Sequence, residues 1–550
     1  MRFASYEQGQ GLNWWETDPN LQQVVARYAD PAMLAWARPH LARFGELCGT
    51  RIALRADYTD KAEGRPRLLS YDRQGNEISR VIYNPGYLQT VAEAYGAGIV
   101  AWRHTVPEGA PGPVDPVITW AMGYMLGMAE TGFYCPVALT GSCALAIDRF
   151  APPELRARYL PGLIATDPEK LTQGATWLTE KTGGSDVGAI TTVARQEGDV
   201  WKLTGEKWFA SNADAPVALA LARPEGAGPG TAGLALFLIP RTLPDGRQNS
   251  YRIRRLKEKL GVIAVPSGEV LLEGAEAFLI GGPGQGFKMM MEAINLSRVY
   301  NAIGSCGVAR RAFLESVIYT SRRIAFGKPV AQHPLMRSKL LRMLVELEAA
   351  TALAFRAADA YEKGEPGYRL LIPIAKARTA EVALQLARAS IECLGGNGYI
   401  EEYVTPRLLR DAQVLTVWEG PEHILALELM RVLAKEGPDG LLAEIDRRLK
   451  GAASLDEIRQ QVTAHRDALI HLINEAATSD PEQAQLHALR ILNRAADALS
   501  GAYLMEEAAG GPPRKAEIAR LYLTRLHRLE EEAQRIWDHA VLHRFDSLVQ

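Results

Sequence analysis

Along residues 1–170 apolar side chains recur at helical spacing. Between about 174 and 280 they alternate or run continuously as in strands, and from 287 onward helical spacing returns. Residues 21–48 carry the first helical pattern, and Asp115-Pro116 marks a helix start, with aspartate as cap and proline at the first helical position. Residues 66–76 read as a polar turn beside a short strand. Residues 114–147 are apolar apart from Asp115 and Glu130, but Pro116, Gly123, Gly127, Gly132 and Pro136 break the run. No uninterrupted apolar helix of about 18 residues fits there, so the pattern predicts two buried helices and no membrane insertion.

The middle region begins with Ala175-Thr176-Trp177-Leu178-Thr179. Trp201-Lys202-Leu203-Thr204-Gly205 alternates, Leu234-Ala235-Leu236-Phe237-Leu238-Ile239-Pro240 reads as a fully buried strand, and Gly268-Glu269-Val270-Leu271-Leu272-Glu273 as another. Residues 226–231 form a loop. Gly281-Gly282-Pro283-Gly284-Gln285-Gly286 is neither G-x-G-x-x-G nor a Walker loop and has no β-α-β surroundings, so it reads as a turn into the next domain. Long helices are predicted over 336–361 and 373–394, and Gly437-Pro438-Asp439-Gly440 is a linker. A capping box at Ser454 and Glu457, a start at Ser479-Asp480-Pro481-Glu482 and a break at Gly510-Gly511-Pro512-Pro513 organise the last helices. The chain is thus expected to be α+β, mainly α. Its domains are a helical one over 1–173, a β-barrel or sheet domain over 174–280, a helical bundle over 281–436 and an added helical domain over 437–550.

Composition narrows the class. The 47% hydrophobic and 23% charged fractions are those of an ordinary soluble domain protein, and the net charge of −2 supplies no general pull towards nucleic acid or anionic lipid. Cys48, Cys135, Cys143, Cys306 and Cys393 are odd in number and scattered, which argues against a disulfide framework or a metal site. With no signal core or transit character at residues 1–8, the expected location is cytoplasmic.

Candidate chemistry concentrates in residues 392–423. Leu394-Gly395-Gly396-Asn397-Gly398 marks a helix end where a flat ligand or a second backbone can come close. Val414-Leu415-Thr416-Val417-Trp418 then leads to Glu419 and Gly420. A partly desolvated carboxylate after an apolar run is a candidate general base.

Five motifs in order make the chain resemble the acyl-CoA dehydrogenase family over roughly residues 90–435. They are Thr179-Glu180 followed by Gly184-Ser185-Asp186, Gly205-Glu206-Lys207-Trp208-Phe209-Ala210-Ser211-Asn212, Arg323-Ile324-Ala325-Phe326-Gly327, the glycine run, and Trp418-Glu419-Gly420. Residues 130–136, 240–247 and 255–261, with the extra C-terminal helices, look like the AidB-like (alkylation-response) subgroup. The resemblance implies a three-domain acyl-CoA dehydrogenase-like fold with the flavin site in the helical bundle, and FAD as cofactor. Leu178, Thr179, Ser185, Phe209 and Ser211 would stand around the flavin, Arg323 and Phe326 near its pyrophosphate and adenosine, with His333, Glu392, Gly395, Gly396 and Pro421 at further cofactor positions. Ser185, Arg298 and Gly420 would meet substrate, and Glu419 would remove the α-proton of an acyl thioester. Other members place their base just before the residue matching Arg298; here that place holds Ser297. The chain departs from the family pattern at Glu392 (usually glutamine), Pro421 (usually threonine), Asn295 (often aspartate) and residues 261–266, which lack an arginine.

The resemblance further implies electron-transfer flavoprotein or a similar acceptor as partner and a homo-oligomer, a tetramer built from dimers that share FAD sites. It also raises a second function, a DNA-associated protective flavoprotein. Residues 441–550 hold 14 Lys and Arg against 17 Asp and Glu. The local cluster of Arg514, Lys515, Arg520, Arg525 and Arg528 is followed by Glu530, Glu531 and Glu532. It reads as a solvated helix face, so DNA is not the expected partner.

Overall fold

The structure, a computed structural model, describes residues 6–198, 200–451 and 455–532. The expected capping residue Ser454 and the first five residues lie outside these, and the side chains of Arg528, Glu530, Glu531 and Glu532 are likewise not described. The chain forms two compact units. One runs to Gln332 and takes in Ala383–Glu419; the other comprises His333–Val382 and the chain from Gly420 onward.

In the first unit the helices are α1 (Pro19–Tyr28), α2 (Pro31–Leu47), α3 (Ala53–Thr59), α4 (Pro85–Gly96), α5 (Pro116–Ala129), α6 (Thr131–Phe150) and α7 (Pro153–Leu163). Asp30 caps α2 through the N–H groups of Ala32 and Met33, which ends the 21–48 pattern as two helices rather than one. Asp115 precedes Pro116 as expected, but its carboxylate accepts from the Asp30 N–H at 2.7 Å instead of capping its own helix. The polar turn lies within a hairpin, β1 (Arg67–Tyr71) and β2 (Glu77–Ile82).

The apolar 114–147 run is two buried helices, α5 and α6. Their glycines serve close packing. A Cβ on Gly127 would lie 2.9 Å from the Gly304 carbonyl oxygen, so α5 crosses a later helix backbone to backbone. No helix among the described residues is long and apolar enough to cross a membrane.

The β-region holds β3 (Gly174–Trp177), β4 (Val193–Glu197), β5 (Val200–Ser211), β6 (Val217–Pro224), β7 (Ala235–Pro240), β8 (Tyr251–Leu256) and β9 (Ser267–Ile280). The order β3-β6-β4-β5-β9-β7, with β6 also pairing β7, closes the sheet into a barrel, and β8 adds to β9. Strand alternation explains the continuous apolar runs. Ala218, Ala220 and Ala222 of β6 join Phe237 and Ile239 of β7 in one core, while Val217, Leu219, Leu221, Leu236 and Leu238 join Ile147, Met289 and Met290 in another. Both faces are covered, so neither can be polar.

The glycine-rich 281–286 stretch is a turn into α8 (Gly286–Arg322). A short hairpin, β10 (Ile324–Ala325) and β11 (Lys328–Pro329), follows it. Then come α9 (Pro334–Glu362), α10 (Tyr368–Leu394) and α11 (Thr405–Leu415). The last helices are α12 (Glu422–Glu436), α13 (Asp439–Gly451), α14 (Asp456–Thr478), α15 (Pro481–Gly510) and α16 (Pro513–Glu532). Asp480 caps α15 through the N–H groups of Glu482 and Gln483.

In the second unit the basic cluster on α16 is not a solvated face. Lys515 is buried and donates to Glu348 at 2.9 Å and Glu507 at 2.7 Å. Arg514 also pairs with Glu348, and Arg525 with buried Glu346. Among the described members of the cluster, Arg520 keeps loose surface partners, Glu457 and Glu517, at 3.7 and 3.6 Å. These positive charges are spent internally.

Candidate functional site

Glu419 stands in the turn after α11, half-buried, with φ of 58°. Such a backbone is costly for a residue with a side chain and persists only where the surroundings enforce it. Helix α8 does so. Buried Arg298 donates from Nε to the Glu419 carbonyl at 3.1 Å and from Nη1 to Asn295 Oδ1 at 3.3 Å. One residue earlier, Ser297 Oγ donates to Glu419 Oε1 at 2.8 Å. The expected substrate residue Arg298 therefore reaches the backbone of the expected base. In the second unit Gly420 has φ of 105° and its carbonyl accepts from buried Lys376 at 2.8 Å, while Pro421 caps α12.

On the barrel, buried Glu180 organises the loop that carries Thr179 and Ser185. It accepts from the Thr191 N–H at 2.6 Å, the Thr192 hydroxyl at 2.5 Å and Lys207 Nζ at 2.6 Å. Hydrogen bonds and the Lys207 charge outweigh burial and hold its carboxyl below the usual range. Leu178 and Thr179 are half-buried, and the Thr179 carbonyl accepts from the Trp208 N–H at 2.8 Å. Ser185 is exposed. A shift in the β5–β9 register between Lys207 and Ala210 lets both of those residues turn inward and leaves Phe209 between them 56% exposed. Ser211 Oγ lies 3.2 Å from Ser267 Oγ.

At the end of α8, Arg323 is exposed, its N–H on the Tyr319 carbonyl at 2.9 Å. Asn397 donates to the Tyr319 hydroxyl at 3.1 Å, which brings the glycine run to this helix end. Gly395 has φ of 64°, and neither it nor Gly396 has any atom within 4 Å of where a Cβ would be. Phe326, with φ of 50°, tops the β10–β11 hairpin and is 94% exposed. Glu392 is exposed and pairs with Arg388 at 3.3 Å, so its charge is matched on the same helix face. His333 belongs to the second unit, half-buried before Pro334. Exposed aromatics, open glycine backbone and an exposed guanidinium fit a large, flat, phosphate-bearing cofactor.

Some residues at this site carried no assignment from sequence. Burial pushes the thiol of Cys135 on α6 up to about 12, with the Lys259 charge opposing and the Glu419 charge adding to the rise. Lys259, beside Cys135, is brought down to about 8 by burial. Both lie in stretches noticed for their resemblance alone. Glu130, at the start of α6, forms a buried group with Arg407 and Asp411 of α11. Burial raises Glu130 to about 8 and Asp411 to about 6, and Asp411 accepts from the Val262 N–H at 2.6 Å. An isolated acid in an apolar run was the available signal for Glu130.

Three family models match the chain. They are the adaptive response protein AidB N-terminal domain over 6–169, the acyl-CoA dehydrogenase middle domain over 175–275 and the acyl-CoA dehydrogenase C-terminal domain over 284–434. The chain is 33% identical over 457 residues to the putative acyl-CoA dehydrogenase AidB of Escherichia coli, covering 80% of this chain and 81% of that one. It is 30% identical to acyl-CoA dehydrogenase family member 11 of Caenorhabditis elegans, covering 80% and 73%. The solved structure of Caenorhabditis elegans ACDH-11 in complex with C11-CoA superposes with a TM-score of 0.87 at 28% identity, over 94% of this chain and 92% of that one. Motifs, domain matches and whole-chain similarity agree: the chain belongs to the acyl-CoA dehydrogenase family, with the N-terminal domain of the AidB-like subgroup.

Proposed function

We propose that this oxidoreductase dehydrogenates an acyl-CoA between its α and β carbons, with Glu419 as the base that takes the α-proton. The observation that carries the reading is the Glu419 turn, a carboxylate on a strained backbone held by two donors from α8. A base must be fixed within hydrogen-bonding reach of the proton it removes, and this carboxylate is fixed. The cofactor is FAD, which when bound supplies the acceptor for the β-hydrogen. Thr179, Ser185, Phe209 and Ser211 would hold its ring system, and Arg323, Phe326, Gly395 and Gly396 its phosphates and adenosine. The Glu419 N–H is the donor this chain offers to charge building on the thioester oxygen. The C11-CoA complex of the worm relative supports a substrate of medium chain length or longer. Exposure of Phe326 supports an assembly that covers it, and we assign a homotetramer that passes electrons to an electron-transfer flavoprotein. Internal pairing of Arg514, Lys515 and Arg525 weighs against the DNA-associated alternative.

Anaerobic bleaching of the bound flavin tests the reading, with acyl-CoAs from short to long offered to wild type and Glu419→Gln. A subset of thioesters should bleach the wild type, and the variant should be slower by about 10²–10⁴. The reading fails if no thioester bleaches the wild type, or if the variant keeps pace with it.

A further inference from the structure

We propose that Ser297 is a positioning residue for Glu419, holding one carboxylate oxygen by a hydrogen bond so that the base is ionised and fixed in direction before substrate arrives. The assignment of Glu419 as base rests on the function proposed above; the contact itself does not. A serine hydroxyl carries a single proton, and in this structure that proton is given to Glu419 Oε1 at 2.8 Å. An ionised carboxylate only accepts, so the bond favours the charged form and fixes the side-chain torsions. Ser297 itself is buried on α8, where the helix backbone and its neighbour Arg298 hold it rigidly. Two consecutive residues of one helix thus grip the same glutamate, Ser297 at the carboxylate and Arg298 at the carbonyl.

The division of labour is physical. Arg298 secures a backbone conformation that a residue with a side chain rarely adopts. Ser297 acts beyond the backbone, on the group that does chemistry. With Oε1 engaged, an incoming α-proton is directed to the other oxygen, and the hydroxyl remains on Oε1 while Oε2 gains the proton. The Cα–H bond breaks as the Oε2–H bond forms, and its electron pair stays on the thioester as enolate charge. Charged and titratable groups near the carboxylate include Arg298 from α8, Cys135 from α6, and Lys259, which faces Cys135 from the loop before β9. A thiol raised to about 12 carries no charge at neutral pH, and Arg298 donates to the Glu419 carbonyl and to Asn295 Oδ1, whereas the Ser297 hydroxyl reaches the carboxylate itself.

The test is an infrared titration of the Glu419 carboxyl in the flavin-loaded protein, its band identified by loss in Glu419→Gln. Ser297→Ala should move the titration upward by about one pH unit, since a hydrogen bond to a charged group is lost. Ser297→Thr should return it to the wild-type position. An unchanged or lowered titration in Ser297→Ala, with flavin content and unfolding midpoint intact, overturns the proposal; so does failure of Ser297→Thr to restore it. The readout needs no turnover. A shift without bleaching by any thioester would retain the positioning role and remove the dehydrogenase reading. The pH profile of bleaching supplies the kinetic counterpart, with its acid limb moving by the same amount.

Discussion

Two Xaa-Gly pairs in this molecule share an unusual backbone. Glu419 and Phe326 both have positive φ, 58° and 50°, and each precedes a glycine that does too, at 105° and 79°. Their surroundings are opposite. Glu419 is half-buried and gripped by Ser297 and Arg298, whereas Phe326 is 94% exposed at the tip of a two-residue hairpin turn. Strain at the first is maintained by packing from within, as suits a group that must be in place before a proton moves. Strain at the second points an aromatic ring outward, which suits contact with a ligand or another chain. On the proposed function, one fold uses the same local device once to fix chemistry and once to present a surface.

Paired substitutions of arginine put this contrast under load. Arg298→Ala should cost about 2–3 kcal/mol of stability, because it empties a buried site and strands the Glu419 carbonyl, and flavin bleaching should slow with it. Arg323→Ala, at the exposed end of the same helix, should stay within about 0.5 kcal/mol of wild type while FAD binds about tenfold more weakly. Denaturant unfolding and flavin titration measure both. If Arg323→Ala destabilises the protein as much as Arg298→Ala, the open edge is structural after all and the contrast collapses.

A smaller effect should separate the two regions by pH. Near the Glu419 turn, burial raises Glu130 to about 8 and Asp411 to about 6, against ordinary values of 4.5 and 3.8. A carboxyl with a raised folded pKa binds more protons folded than unfolded. Its contribution is complete below the unfolded pKa and is lost as pH rises through the folded one. Stability should therefore fall from about pH 4 to pH 8, with Glu130 responsible for the part above pH 6. Glu130→Gln keeps an acceptor for the Gly132 N–H, which now bonds Oε1 at 3.1 Å, and should flatten that upper part by on the order of 1 kcal/mol. Arg407, near Glu130 at 3.6 Å, reduces but does not remove the slope. An unaltered slope in Glu130→Gln would assign the pH response elsewhere.

How much of this was legible in the sequence depends on the range of the interaction. Alternation located β5 and a continuous apolar run located β7, while β6 drew no reading, and the Asp480-Pro481 cap placed the start of α15. Trp418-Glu419-Gly420 singled out the turn because its residue types are unusual together. The Ser297 contact was not legible, since it joins residues 122 positions apart and serine gives no local pattern. The α16 charges misled for a related reason. Spacing along one helix looks the same whether its lysines face water or meet acids from other helices, and Lys515 meets Glu348, 167 positions away. Phe209 lay between, since its motif marked it but a register shift in the sheet turned it outward.

The smallest expected effect concerns Glu392, which replaces the glutamine usual in the family. A carboxylate beside a cofactor's phosphates should repel them, so the sequence alone makes Glu392→Gln look beneficial. The structure supplies a reason for near silence. Glu392 is 48% exposed and pairs with Arg388 one helical turn earlier, at 3.3 Å. An exposed pair of this kind contributes about 0.2–1 kcal/mol, and solvent screens whatever charge is left over. Glu392→Gln should therefore tighten FAD by no more than about threefold at physiological ionic strength, and by less as salt is raised, in a flavin-release titration. A tightening of tenfold or more that persists in high salt would mean that Glu392 faces the phosphates directly. In that case the open edge is as closely fitted as the Glu419 turn.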